Sequence, residues 1–416
     1  MSAPVQRSNT NLRALPAARI VRAISDAAGR WRDPDFPARV GASAALVART
    51  AYSAEVVEYA LDQLFVSIDE AALRATITDE LGSLEILDGF AHRSGRPDAF
   101  ARGLRRVCII ASRTTIGVAL LPAVYALCAK CDVAVRDRED QLIFEFFNTL
   151  AQEHPAFQAA ATTLQWDALA ARPPFFRDAD ALVVFGKNET LRTLRDGTRP
   201  HVRFIGYGSR ATAGYVTRES LTSRAQAGDL ARRAARDVAL YETEGCLSLH
   251  VLFVESAGAL SPQEFSTLFS EAMEQATLHF PAGPRNEMAH LKVDMHRRLA
   301  SFRGATGKGL MLSDETATYC VVFDPPDDEP PPFLPRTIGL HPVQSPAQAL
   351  SYLCRHDIPL EGFAMSSRRE DVVAMAIEAG AVRLTSFGEL QSPPPGGGHG
   401  GRPRIGEFVC WIEKEV

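Results

Sequence analysis

Cys246 is the residue of this sequence best placed to do chemistry. It lies within Ala235–Glu255, ARDVALYETEGCLSLHVLFVE, directly after Gly245. Downstream, Leu247, Leu249, Val251 and Phe253 alternate with Ser248, His250, Leu252 and Val254, the period of a strand. Upstream, Leu230–Tyr241 spaces its apolar residues as a helix does, with Arg232, Arg233 and Arg236 on the other face. The glycine lets the backbone turn sharply or approach a ligand closely. A cysteine between such a helix and such a strand is either a nucleophile or a small buried hydrophobe. Glu242, Glu244 and the negative end of the helix all act to raise a thiol pKa. Activation therefore has to come from backbone N–H groups, a bound cofactor or a distant cation.

A second candidate is Ala181–Phe185, a buried strand, followed by Gly186-Lys187-Asn188-Glu189 and the helix Thr190–Arg195. A helix opening after a strand can hold a pyrophosphate through its free N–H groups and its dipole. Arg136 ends a short strand at Val133–Val135, with Glu139 three residues on. That pair can face an adenosine ribose or form a surface ion pair. Other motifs carry less. Cys128-Ala-Lys-Cys131 has no second cysteine pair and reads as two ordinary thiols, so no metal site is expected. Gly304-Ala-Thr-Gly307-Lys308-Gly309 lacks the glycine spacing and the Ser/Thr of a phosphate loop, and it follows a helix. His290 and His296 are six apart, which suits a solvated helix better than a ligand pair.

The elements that must position these residues are of two kinds. Residues 1–103 read as helical, with apolar residues at three- and four-residue steps in Leu46–Arg49, Val56–Phe65 and Glu70–Leu81; Asp69 or Ser67 can cap the last. From Val107 strands and helices alternate. Strands are expected at Val107–Ala111, Val133–Val135, Ala181–Phe185 and Val202–Gly206, with helices at Val118–Lys130 and Asp140–Glu153. After Cys246, helices are expected at Pro262–Phe280, Asn286–Arg303, Pro346–His356 and Arg368–Ala379. Strands are expected at Ala317–Phe323, Arg336–Leu340, Ala381–Thr385 and Phe408–Ile412. Alternation of this kind makes an α/β fold with parallel sheets covered by helices.

At 416 residues the chain is long enough for two joined domains. Its 46% hydrophobic and 23% charged residues are an ordinary globular balance, and a net charge of −5 argues against nucleic acid as a partner. The longest apolar run, Ile116–Ala129, is about 14 residues and contains Pro122, too short for the ~20 that span a bilayer. The N-terminus has no apolar signal core, and seven scattered cysteines suit a reducing compartment. A cytoplasmic protein is expected.

Several stretches taken together resemble the acyl-CoA reductases typified by the fatty-acid reductase of bacterial bioluminescence, a divergent branch of the aldehyde dehydrogenase superfamily. They are VVFGKNETLRTLR (183–195), VRFIGYGSR (202–210), ARDVALYETEGCLS (235–248), LFVE (252–255), RTIGLHPV (336–343) and GHGGRPRIGEFVCWIEKE (398–415). The resemblance implies an aldehyde dehydrogenase-like fold in four parts: a helical region over 1–103 packed on the cofactor domain, a Rossmann-like nucleotide domain over 104–222, an α/β catalytic domain over 223–390, and a loop with a terminal strand over 391–416.

By the same resemblance Cys246 matches the catalytic cysteine, and Gly186, with Lys187 and Asn188, matches the turn that holds the cofactor phosphates. Arg136 and Glu139 match the pair that contacts the adenosine ribose. The implied reaction is NADPH-dependent reduction of an acyl-CoA, a long-chain fatty acyl thioester, to the aldehyde through a cysteine acyl-enzyme. The oxyanion contact is assigned to the Cys246 backbone N–H with a side chain near Thr114 or Thr115, and Glu244 and His250 are candidate proton donors by their proximity to Cys246 in the sequence. Implied partners are an acyl-CoA or other acyl thioester, an acyl-protein synthetase that supplies acyl groups, and further copies of the chain. The superfamily's general base would fall near Ile205, its oxyanion asparagine at 113–115 and its ribose-binding glutamate near Pro331. None of those residue types is in register there. Loss of the base suits a reductase, which must exclude water rather than activate it. The competing readings are an oxidative aldehyde dehydrogenase and a non-catalytic scaffold.

Overall fold

In the computed structural model, residues 11–93, 95–112, 115–136, 141–164, 177–326 and 329–415 are described. They divide into two compact units, one drawn from residues 1–50, 57–208 and 394–416, the other from 51–56 and 209–393.

The first unit opens on helices Ala17–Trp31 and Pro37–Arg49, and Glu70–Leu81 follows. Asp69 caps the last of these, accepting the Ala72 N–H at 2.9 Å. Trp31, Phe65 and Phe146 pack as a ring cluster with centroids 4.9–6.1 Å apart, and the Trp31 indole N–H donates to Thr149. These rings bind the N-terminal helices to the helix Leu142–Glu153. Strands β3 (Arg106–Ile110), β4 (Asp132–Arg136), β5 (Ala161–Thr163), β6 (Ala181–Phe185) and β7 (Arg203–Tyr207) form a parallel sheet in the order β5-β4-β3-β6-β7. Strand order reverses between β3 and β6, and the crevice beyond the strand ends at such a point is where open α/β sheets take their ligands.

The helix expected at Val118–Lys130 runs from Leu120 to Cys128, so that Pro122 falls in its first turn, where a missing N–H costs nothing. Residues 1–103 are not wholly helical. β1 (Ala91–Arg93) and β2 (Arg96–Gly103) form an antiparallel sheet with β15 (Val409–Lys414). The inward residues of β2 are Ala99 and Ala101, too small to signal a strand, and its partner lies some three hundred residues away.

The second unit is built on a seven-stranded sheet ordered β10-β11-β12-β9-β8-β13-β14. Its strands are β8 (Ala211–Val216), β9 (Leu249–Glu255), β10 (Leu310–Leu312), β11 (Cys320–Phe323), β12 (Thr337–Val343), β13 (Leu360–Met365) and β14 (Arg383–Ser386), all parallel except β10. Helices Arg224–Ala239 and Pro262–His279 cover one face through Leu230, Phe265 and Phe269; Pro346–Arg355 and Glu370–Glu378 cover the other through Tyr352 and Val372. β8 falls inside the span expected to belong to the nucleotide domain, yet it lies at the heart of this second sheet. It is buried along its whole length, so its sequence, ATAGYV, shows no alternation to betray it.

One carboxylate in this core sets a pH dependence. Asp237 is fully buried at the end of Arg224–Ala239 and accepts the Gly388 and Leu390 N–H groups at 2.6 and 3.3 Å. Burial pushes its pKa up to about 7, against the pull of those two N–H groups and of Arg236 and Arg383. The folded state therefore holds a proton that the unfolded chain releases near its ordinary value of 3.8. Its contribution to stability is fully present below that value and is lost as pH rises toward 7. Asp237→Asn is expected to flatten the fall in stability between pH 4 and 7, read as the slope of denaturation midpoint against pH; an unchanged slope would show that Asp237 does not set it.

Candidate active site

Between the helix Arg224–Ala239 and β9 the backbone takes a conformation that side chains rarely allow. Tyr241, Glu242 and Thr243 stand consecutively in the left-handed region, with φ of 58°, 54° and 60°. None is glycine, and each such residue costs on the order of 1–3 kcal/mol unless its surroundings force it. Here they do. Arg336, 0% exposed, donates from Nε to the Glu242 carboxylate at 2.9 Å, with Nη2 2.7 Å from the same oxygen. Its remaining N–H groups reach the Phe280 and Pro281 carbonyls and the Thr277 hydroxyl, and its backbone N–H donates to the Glu242 carbonyl. Thr243 donates its hydroxyl to the Val238 carbonyl, closing the helix end.

The turn continues through Glu244 and Gly245 and delivers Cys246. Ser248 N–H donates to the Gly245 carbonyl, and its hydroxyl donates to that of Leu240. Thr212 on β8 fixes the cysteine from the neighbouring strand. Its hydroxyl donates to the Cys246 carbonyl at 2.7 Å, and its backbone N–H donates to Nδ1 of His250 at 3.2 Å.

Cys246 is half-buried. Burial pushes its thiol up to about 12, and the negative charge of Glu361 pushes the same way. The N–H groups of Cys246 and Leu247 and the charge of Arg210 act against both. The sequence pointed to Glu242 and Glu244 as the opposing charges. Glu242 is instead neutralised by Arg336, and the carboxylate that bears on the thiol is Glu361 of β13. A lone charge in the apolar run LEGFAM was the signal for it. His250 is 4% exposed, its ring packs 5.3 Å from that of Phe333, and burial lowers its pKa to about 4. It is uncharged near neutral pH and supports the strand. Glu244 is exposed on the turn.

In the first unit, Gly186 closes β6, its N–H donating to the Tyr207 carbonyl. Lys187 is the N-cap of the helix Asn188–Asp196, whose N-terminus carries no side-chain cap. Beside it the rings of Phe185, Tyr207 and His399 stack with centroids 4.4–5.6 Å apart, a flat platform at the strand ends that sequence patterning did not reveal. Arg136 ends β4, two strands from β6 in the same sheet. Glu139 and Thr114 lie outside the described residues. Cys128 and Cys131 are buried thiols, both raised by burial. His296, expected on a solvated face, is partly buried and lines a small cavity with Asp324 and His341. Among the described residues no group of three His, Cys, Asp or Glu side chains is placed to hold a metal, and no helix is long and apolar enough to cross a membrane.

The model of the acyl-CoA reductase (LuxC) family matches residues 12–411. Comparison with curated protein sequences gives no match. Among solved structures, the chain is similar to aldehyde dehydrogenase 21 from Physcomitrella patens, determined with succinate, at a TM-score of 0.72 and 10% identity, covering 96% of this chain and 86% of that one. It is similar to an NAD-dependent benzaldehyde dehydrogenase from Corynebacterium glutamicum (TM-score 0.70, 14% identity, 97% and 87% covered). It is also similar to 1-pyrroline-5-carboxylate dehydrogenase from Thermus thermophilus (0.66, 13%, 96% and 82%).

Proposed function

The chain belongs to the acyl-CoA reductase (LuxC) family and has the aldehyde dehydrogenase fold, and from that premise we propose that it reduces an acyl thioester to an aldehyde through a cysteine acyl-enzyme, with NADPH as reductant. The observation that carries this proposal is the forced left-handed turn at Tyr241–Thr243 that delivers a half-buried Cys246 ahead of β9, with its carbonyl held by Thr212. A structural cysteine has no need of such a turn.

The Cys246 sulfur attacks the thioester carbonyl and the thiol leaving group departs, leaving an acyl-enzyme. The Cys246 N–H serves the developing oxyanion, a contact typically worth about 3–4 kcal/mol. Bound NADPH supplies the hydride that reduces the acyl group. The uncapped start of Asn188–Asp196, with Gly186, Lys187 and Asn188, suits its pyrophosphate. Arg136 suits the 2′-phosphate, a planar cation against a phosphate dianion. Ile205, which the resemblance aligns with the superfamily's base, is a buried apolar residue of β7, in keeping with a reductase that has no use for an activated water. We take a long-chain acyl-CoA, or an acyl group handed over by an acyl-protein synthetase, as the substrate, and a cytoplasmic homo-oligomer as the working form.

Intact-protein mass spectrometry after incubation with a panel of acyl-CoAs, without reductant, tests the acyl-enzyme. One acyl group per chain is expected, released as aldehyde on adding NADPH. A protein that gains no mass with any of them is not an acyl-transfer enzyme. Arg136→Glu is expected to raise KM for NADPH at least tenfold more than KM for NADH. Equal effects would place Arg136 away from the 2′ position.

A further inference from the structure

Three adjacent strands, β9, β8 and β13, break register at one level of the second unit's sheet. Between β8 and β9 the extra residue is His250, which falls between the pairs Thr212–Leu249 and Ala213–Val251. Between β13 and β8 it is Glu361, which falls between Leu360–Ala211 and Gly362–Thr212. Bulges re-aim side chains and gather beside active sites. Thr212 is common to both breaks, and its hydroxyl is the group that holds the Cys246 carbonyl. Glu361 thus stands one strand from the anchor of the cysteine, bulged out of the ladder.

Glu361 is 5% exposed in an otherwise apolar strand. Burying a carboxylate there is costly unless it is paired. Its partner is Arg210, whose Nη1 lies 3.6 Å from Oε2 and also donates to the Leu360 carbonyl at 3.3 Å. Arg383 on β14, in register with Gly362, is a second cation within electrostatic reach. Glu361 and Arg210 are also the two charges that bear on the Cys246 thiol, in opposite senses, while His250 is uncharged.

We propose that Glu361, steered by Arg210, accepts the Cys246 thiol proton as the sulfur attacks and returns it to the departing thiolate. This assignment rests on the acyl-transfer chemistry proposed above. At rest burial, helped by the neighbouring negative charge, keeps the thiol protonated and unreactive. As the new S–C bond forms, the S–H proton becomes acidic and passes to the carboxylate. When the C–S bond to the leaving group breaks, the proton goes to that thiolate and Glu361 is again ionised. No redox partner enters this half of the cycle.

The test uses the full chain with Glu361→Gln and Glu361→Ala, following acylation by rapid-quench intact mass and alkylation by iodoacetamide as a function of pH. In Glu361→Gln the thiol is expected to titrate at lower pH than in the wild type, because a like charge has been removed. Its acylation is nevertheless expected to slow by about 10²-fold or more. Added formate is expected to restore acylation to Glu361→Ala, which a merely structural role would not permit. Acylation of Glu361→Gln at the wild-type rate, or an unmoved alkylation profile, overturns the assignment while leaving the acyl-enzyme standing. A wild type that takes up no acyl group overturns both.

Discussion

Cys246→Ala is expected to leave a folded protein with no acyl adduct and with aldehyde formation reduced on the order of 10⁶-fold, the size of effect seen when a covalent nucleophile is removed. The size follows from the absence of a substitute. Among the other cysteines, Cys108, Cys128, Cys131 and Cys320 are buried, with thiols raised well above their ordinary value. Cys354 and Cys410 are exposed, Cys354 on the helix Pro346–Arg355 and Cys410 on β15. Stability should change little, because the turn is held by Glu242, Thr243 and Ser248 rather than by the sulfur. NADPH binding, measured by fluorescence, should be retained. Mass gain persisting in the variant would move the nucleophile elsewhere.

The second large effect is expected at Arg336. Arg336→Met leaves Glu242 buried at 2% exposure without its cation, a defect worth about 3–5 kcal/mol. For a unit of this size that corresponds to a fall in Tm of roughly 10 °C. The loss should be smaller at pH 5 than at pH 8. Burial already raises the Glu242 pKa, and without Arg336 it rises further, so the folded variant retains a proton that the unfolded chain releases. The stability attached to that proton is present at low pH and disappears as pH climbs. Glu242→Gln combined with Arg336→Met should recover part of the loss by removing the orphan charge. The strained turn should relax in the single variant, so acyl uptake at Cys246 should fall with it. An unchanged Tm would mean that the pair does not hold the turn.

Much of the scaffold was legible because its signals are local. Ala181–Phe185 ends where its apolar run ends, the helix Pro262–His279 starts at a Ser-Pro-x-Glu capping box, and Asp69 caps Glu70–Leu81 as its position suggests. What escaped was non-local. β8 and β13 are buried on both faces, so neither alternates, and each is defined by neighbours far along the chain. Glu242 looked like a charge beside the thiol because its partner, Arg336, lies 94 residues on. The bulges at His250 and Glu361 depend on register between strands, which no single segment encodes. The position of Cys246 could be read from its flanks; the groups that govern its proton could not.

The strand β15 has a consequence for how the molecule is made. It pairs with β2 from Val409–Gly103 to Lys414–Asp98, and Arg203 donates to the Glu407 and Val409 carbonyls beneath it. The unit holding residues 57–208 is therefore completed only by residues that follow the whole of 209–393. On the ribosome the later-encoded unit has all its strands in hand first, while the earlier one waits with the edge of β2 unpaired. Birth order and closing order are reversed, and an edge left open during synthesis is where a nascent chain is most exposed to pairing with a neighbour.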